Sequence, residues 1–171
     1  MKPRLLILSD LFGGENLEWI QYYVEILETK FEIQYYDVLK LAEIMVYDKK
    51  GSEIHTQFLN GGIDKAVDNL LDIEKEIVAI LGFSIGGTIA WKACLKGLKV
   101  STFVAVSSTR LRYEKEKPDC NIKLYYGDKD KNAPNFSWFL DLKISNEILE
   151  NQNHQLYMEK ENAFLICANF L

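Results

Sequence analysis

The stretch Ile77-Val78-Ala79-Ile80-Leu81-Gly82-Phe83-Ser84-Ile85-Gly86-Gly87 decides how this chain is read. Its first five residues are apolar without alternation, the pattern of a strand buried on both faces of a parallel sheet. Thr88 to Lys96 follows with helical patterning, and Gly97 closes it as a C-cap. Between strand and helix lies Gly82-Phe83-Ser84-Ile85-Gly86, a match to G-x-S-x-G. As bare text the motif is a weak signal; the strand before it and the helix after it give it weight, because a serine on so sharp a turn is pushed out of the sheet. The residues two positions either side must be small where strand and helix approach, and Gly82 and Gly86 supply that room. The turn also puts the Ile85 N–H at a helix N-terminus, where it can stabilise negative charge on oxygen.

Outward from this stretch, strands alternate with helices. Leu5–Leu8 is a second buried apolar run, bounded by Ser9-Asp10, with Gly13-Gly14 marking a loop. Residues 16–30 carry Trp19, Ile20, Tyr23, Val24 and Leu27 on one helical face. Phe31–Tyr36 reads as a strand, Val38–Met45 as a short helix, Lys49–Asn60 as a polar loop, and Ile63–Leu71 as a helix. Further strands are expected at Val100–Val106, Ile122–Tyr126 and Ile144–Leu149. Residues 107–120 form a charged loop, Phe136–Leu142 a short helix, and Met158–Leu171 a closing helix with Phe164, Cys167 and Leu171 on its apolar face. The alternation predicts one α/β domain over residues 1–171, a three-layer α/β/α sandwich around a mainly parallel sheet of about six strands.

A serine hydroxyl needs a base, and the base needs an orienting carboxylate. The chain has two histidines. His154 follows the last predicted strand, where residues past strand C-termini converge. His55 falls in the polar loop and is read as exposed and idle. Asp128 and Asp130 both follow the strand Ile122–Tyr126, and either can point at the site.

The order Ser84, aspartate, His154, with the strand–turn–helix setting of the serine, resembles the α/β-hydrolase superfamily over essentially the whole chain. The resemblance implies Asp130 as the acid, because it ends G-x-x-D (Gly127 to Asp130) with Pro134 following. It also implies that the chain starts at the family's third strand, lacking the first two. The second oxyanion donor is expected from the loop Asp10-Leu11-Phe12-Gly13-Gly14: the N–H of Phe12, with Leu11 as the alternative, beside Ile85. Many members have His-Gly-x-Gly-Gly there. Asp10 in place of the histidine either turns away to bind the loop backbone or weakens activity, since a carboxylate aimed at an oxyanion opposes catalysis. The charged loop at 107–120, where members often carry a lid, suggests a shallow, open site and a small or exposed substrate. The activity implied is hydrolysis of a small carboxylic ester or thioester through an acyl-enzyme, without cofactor or metal. The alternative is a non-catalytic binding or regulatory protein on the same fold.

Composition narrows the classes. The 171 residues carry a net charge of −5, a poor match to a phosphate backbone, so no nucleic-acid partner is expected. Cys94, Cys120 and Cys167 are far apart and odd in number, which argues against a disulfide framework or zinc site. The apolar run at Leu5–Leu8 is too short for a signal peptide, and no stretch approaches a membrane span, so a cytoplasmic protein is expected. Phe136, Trp138 and Phe139 are read as core side chains. Nothing in the sequence sets the oligomeric state.

Overall fold

A computed structural model describes residues 1–47 and 50–171. Six strands form one sheet: β1 (Arg4–Leu8), β2 (Glu32–Tyr36), β3 (Val78–Phe83), β4 (Val100–Val106), β5 (Asn121–Gly127) and β6 (Ser145–Leu149). Their spatial order is β2-β1-β3-β4-β5-β6, and every neighbouring pair is parallel. β3, which leads into Ser84, lies inside the sheet and is buried along its whole length.

Side chains alternate across the sheet and build a core on each face. Leu5, Ile7, Leu81 and Phe83 point to one face, where they meet Ile20, Tyr23 and Leu27 of α1 (Glu18–Leu27) and Ala163 and Ile166 of α7 (Lys160–Cys167). Leu6, Leu8 and Ile80 point to the other. There they pack against α2 (Val38–Leu41), α3 (Gly51–Gln57), α4 (Ile63–Ile73), α5 (Ile85–Leu95) and α6 (Phe136–Asp141). The result is the three-layer sandwich around a parallel six-stranded sheet that the strand–helix alternation predicts.

Three expectations are corrected. The segment read as a polar loop from Lys49 to Asn60 is largely helical, with Lys49 itself outside the described residues. Gly51–Gln57 forms α3 and runs into a wide turn at Phe58–Gly62, where Gly61 takes φ +110°. Five of its seven residues are polar, yet Ile54 and Phe58, four residues apart, are buried and anchor it. The closing helix is shorter than read and turned: Phe164 and Leu171 are exposed. Ala163, Ile166, Cys167 and Phe170 form the buried stripe, half of it small residues, while Phe164, Leu165 and Leu171 lie in solvent. In α6 only Phe139 is buried; Phe136 is exposed, and Trp138 is partly buried against Trp91, with ring centroids 6.0 Å apart.

Among the described residues, no helix is long and apolar enough to cross a membrane. The three cysteines are free; Cys167 is buried and the other two are partly so.

Candidate active site

Ser84 sits between β3 and α5 with φ +50° and ψ −122°. A side chain rarely accepts that backbone, and such strain persists only where the surroundings enforce it. Here the Ser84 N–H donates to the Val106 carbonyl of the neighbouring strand at 2.9 Å. A Cβ on Gly86 would stand 2.2 Å from the Ser9 carbonyl oxygen, and one on Gly82 2.6 Å from the Gly87 Cα. The two glycines therefore let α5 start hard against the ends of β1 and β3. Ser84 is only 4% exposed.

His154 lies on the segment after β6. Gly127 lets that segment close on β5: a Cβ there would meet the Gln152 carbonyl oxygen at 2.1 Å. Two hydrogen bonds fasten it, from the Lys129 N–H to the Gln152 carbonyl at 3.0 Å and from the Gln152 N–H to Asp128 Oδ1 at 3.1 Å. So held, His154 places Nε2 3.0 Å from Ser84 Oγ and Nδ1 2.9 Å from Asp130 Oδ2. Of the two aspartates the sequence leaves open, Asp130 faces the imidazole, while Asp128 secures the backbone beside it.

The Asp130 carboxylate has no solvent exposure, whereas the imidazole is 25% exposed. Burial pushes the Asp130 carboxyl up, but hydrogen bonds from His154 and from the Asn132 N–H at 2.9 Å outweigh it and hold it below its ordinary value. An ionised carboxylate only accepts, so the Nδ1 facing it carries the proton and Nε2 presents its lone pair to the serine.

A cavity of about 130 Å³ opens above Ser84, lined among others by Asp10, Phe12, His55, His154 and Tyr157. The site is a narrow pocket and not the shallow, open face expected without a lid. The wall was hidden in the stretch read as a loop, because α3 brings His55 to the pocket. His55 is partly buried there. Its polar neighbours masked it; the Ile54–Phe58 spacing that anchors α3 was the signal available.

The loop after β1 departs from expectation at one donor. The Phe12 N–H is engaged: it donates to Asp10 Oδ1 at 3.1 Å. The alternative donor, the Leu11 N–H, reaches no acceptor among the described residues. Ile85 opens α5, where the first N–H groups have no partner within the helix. Asp10 is turned towards the loop backbone, and its Oδ2 accepts from the Tyr157 hydroxyl at 3.1 Å.

No protein-family model matches the sequence, and a search of curated proteins finds no match. Solved structures do match. An alpha/beta-superfamily protein from Xanthomonas campestris pv. campestris superposes with TM-score 0.72 at 15% identity, covering 99% of this chain and 98% of that one. A dienelactone hydrolase-like promiscuous phosphotriesterase from metagenomic libraries gives TM-score 0.72 at 14% identity, covering 99% and 85%. An alpha-beta serine hydrolase homologue from Coxiella burnetii gives 0.61 at 14%, also covering 99% and 85%. The chain has the α/β-hydrolase fold. On that fold the site occupies the edge where β3, β5 and β6 end, and residues far apart in sequence meet there because all strands run the same way. Within this fold the chain places Ser84 on a strained turn after β3 and Asp10 in the loop after β1.

Proposed function

We propose that this protein is a serine hydrolase that cleaves small carboxylic esters or thioesters. The observation that carries the reading is the unbroken line Asp130 Oδ2–His154 Nδ1, His154 Nε2–Ser84 Oγ, at 2.9 and 3.0 Å, ending on a serine with strained backbone in a pocket.

In this reading Ser84 Oγ attacks the substrate carbonyl carbon while its proton passes to His154 Nε2. Asp130 fixes the ring tautomer and stabilises the imidazolium. The carbonyl oxygen becomes an oxyanion, received by the Ile85 N–H and by an N–H of the loop after β1, for which Leu11 is the unengaged donor. The imidazolium returns its proton to the departing alcohol or thiol as the carbonyl–leaving-group bond breaks. Water then enters, loses a proton to His154 and releases the acid, restoring Ser84. The chemistry is complete with these side chains and water.

The cavity of about 130 Å³ supports a short acyl group; pockets for drug-sized ligands run to several hundred Å³. Turnover of p-nitrophenyl acetate tests the reading. Hydrolysis by the wild type and its loss in Ser84→Ala and His154→Ala is the expected result; equal rates in all three would refute it.

A further inference from the structure

Asp10 is the unexplained residue of the pocket. It is 3% exposed, and no lysine or arginine pairs with it among the described residues. Both carboxylate oxygens are nevertheless occupied, and each by an element of the site. Oδ1 accepts from the Phe12 N–H in the loop after β1, at 3.1 Å. Oδ2 accepts from the Tyr157 hydroxyl, also at 3.1 Å. Tyr157 is three residues beyond His154, with its ring edge-on to the imidazole at 6.2 Å. It is itself held, since its carbonyl accepts from the Tyr23 hydroxyl at 2.9 Å and its ring lies against Phe83 and Trp19. The Asp10 main chain is tied as well, its carbonyl accepting from the Ser9 hydroxyl and the Gly13 N–H.

Resting on the hydrolase reading above, we propose that Asp10 is a positioning residue. It clamps the loop after β1 to the segment that carries His154, and by taking the Phe12 N–H it makes Leu11 the loop's oxyanion donor. Two parts of the chemistry are otherwise on separate pieces of chain: one of the two oxyanion donors follows β1, and the base follows β6. A displacement of about 1 Å between them costs on the order of 100-fold in rate. The clamp also removes one objection to a carboxylate in the pocket, because both oxygens are engaged by protein donors. Near it are Tyr157 and His154 from the segment after β6, Tyr35 from β2 and, lining the same cavity, His55 from α3.

Asparagine keeps the clamp, since its Oδ1 still accepts from the Phe12 N–H and its Nδ2 can donate to the Tyr157 oxygen. Alanine removes it. The test compares wild type, Asp10→Asn, Asp10→Ala and Tyr157→Phe, with p-nitrophenyl acetate as substrate. Alongside, the Phe12 amide proton is followed by NMR from pH 3 to 8. The expected result is kcat down about 100-fold in Asp10→Ala and about 10-fold in Tyr157→Phe, with KM within threefold, and Asp10→Asn within fivefold of wild type. The Phe12 amide should move downfield as Asp10 ionises, and the midpoint should rise in Tyr157→Phe because a hydrogen bond to the carboxylate is lost. Full kcat in Asp10→Ala, or Asp10→Asn as poor as Asp10→Ala, would overturn the proposal. So would a Phe12 amide that ignores pH. A wild type that turns over no ester would sink the hydrolase reading instead, and the amide titration would still decide the Asp10 contact.

Discussion

Three carboxylates near one histidine are given three tasks by their surroundings. Asp130 accepts from the imidazole, Asp128 accepts from the backbone of the segment bearing it, and Asp10 accepts from a loop amide and a tyrosine. Replacing Asp130 by asparagine preserves shape but lets the ring take the wrong tautomer, so kcat should fall by about 10³–10⁴ in a steady-state assay. The two buried aspartates should also leave opposite marks on stability. Asp130 is held below its ordinary value, so it contributes stability above the unfolded value of about 3.9, and loses it as pH falls through the folded one. The melting-temperature deficit of Asp130→Asn should be largest near pH 7 and shrink at acid pH. Burial raises the Asp10 carboxyl despite hydrogen bonds from Tyr157 and Phe12 that lower it. Its folded form therefore holds the proton more tightly than the unfolded one, and wild-type stability declines as pH climbs between those two values. Asp10→Asn does not titrate, so its melting temperature should gain on wild type across that window and keep the gain above it. A pH-independent difference would contradict this assignment. That Ser84, His154 and an aspartate after β5 come together was legible from residue type and chain order, whereas the choice of Asp130 over Asp128 came from the family resemblance and not from the residues themselves. The bond from Phe12 to Asp10 was not, since a side chain that turns back on its own loop leaves no periodic trace.

At the scale of elements, the site depends on close approaches that only glycine allows. A Cβ on Gly86 would collide with the Ser9 and Leu8 carbonyl oxygens at 2.2 and 2.8 Å, both backbone atoms with little freedom to give. Gly86→Ala should cost about 1–3 kcal/mol, seen as a fall of roughly 2–4 °C in melting temperature per kcal/mol. Gly127→Ala meets the Gln152 carbonyl oxygen at 2.1 Å, two residues before His154. It should displace the base and lower kcat by about 10-fold or more; kinetics at wild-type level would show that the segment has another route past β5. The strand β3 and helix α5 were plain in the sequence because a doubly buried strand is a continuous apolar run. Helix α3 was not, because two buried side chains, Ile54 and Phe58, anchor an otherwise polar segment. The face of the closing helix was misread for a related reason: small Ala163 and Cys167 make half of the buried stripe beside Ile166 and Phe170, while exposed Phe164 draws the eye.

For the whole molecule, parallel strand order explains how one sheet edge gathers residues from β3, β5 and the segments after β1 and β6. That the strands run parallel follows from strand–helix alternation and was legible in the sequence; their spatial order was not. The covering of the site was not, since it depends on where α3 lands. With α3, the loop after β1 and the segment after β6 closing the pocket to about 130 Å³, acyl length should be limiting. Across p-nitrophenyl esters, kcat/KM should be highest for acetate and butyrate and drop about 10-fold or more by octanoate, since overpacking a rigid pocket costs one to a few kcal/mol. A flat or rising profile would mean that the pocket opens in solution. The central claim, that Ser84 is an activated nucleophile, is tested most directly by a tagged fluorophosphonate, with the modified peptide mapped by mass spectrometry. Labelling of wild type confined to Ser84 and absent from Ser84→Ala and His154→Ala is the expected result. Folded wild-type protein that stays unlabelled would contradict it and favour a binding role for the same pocket.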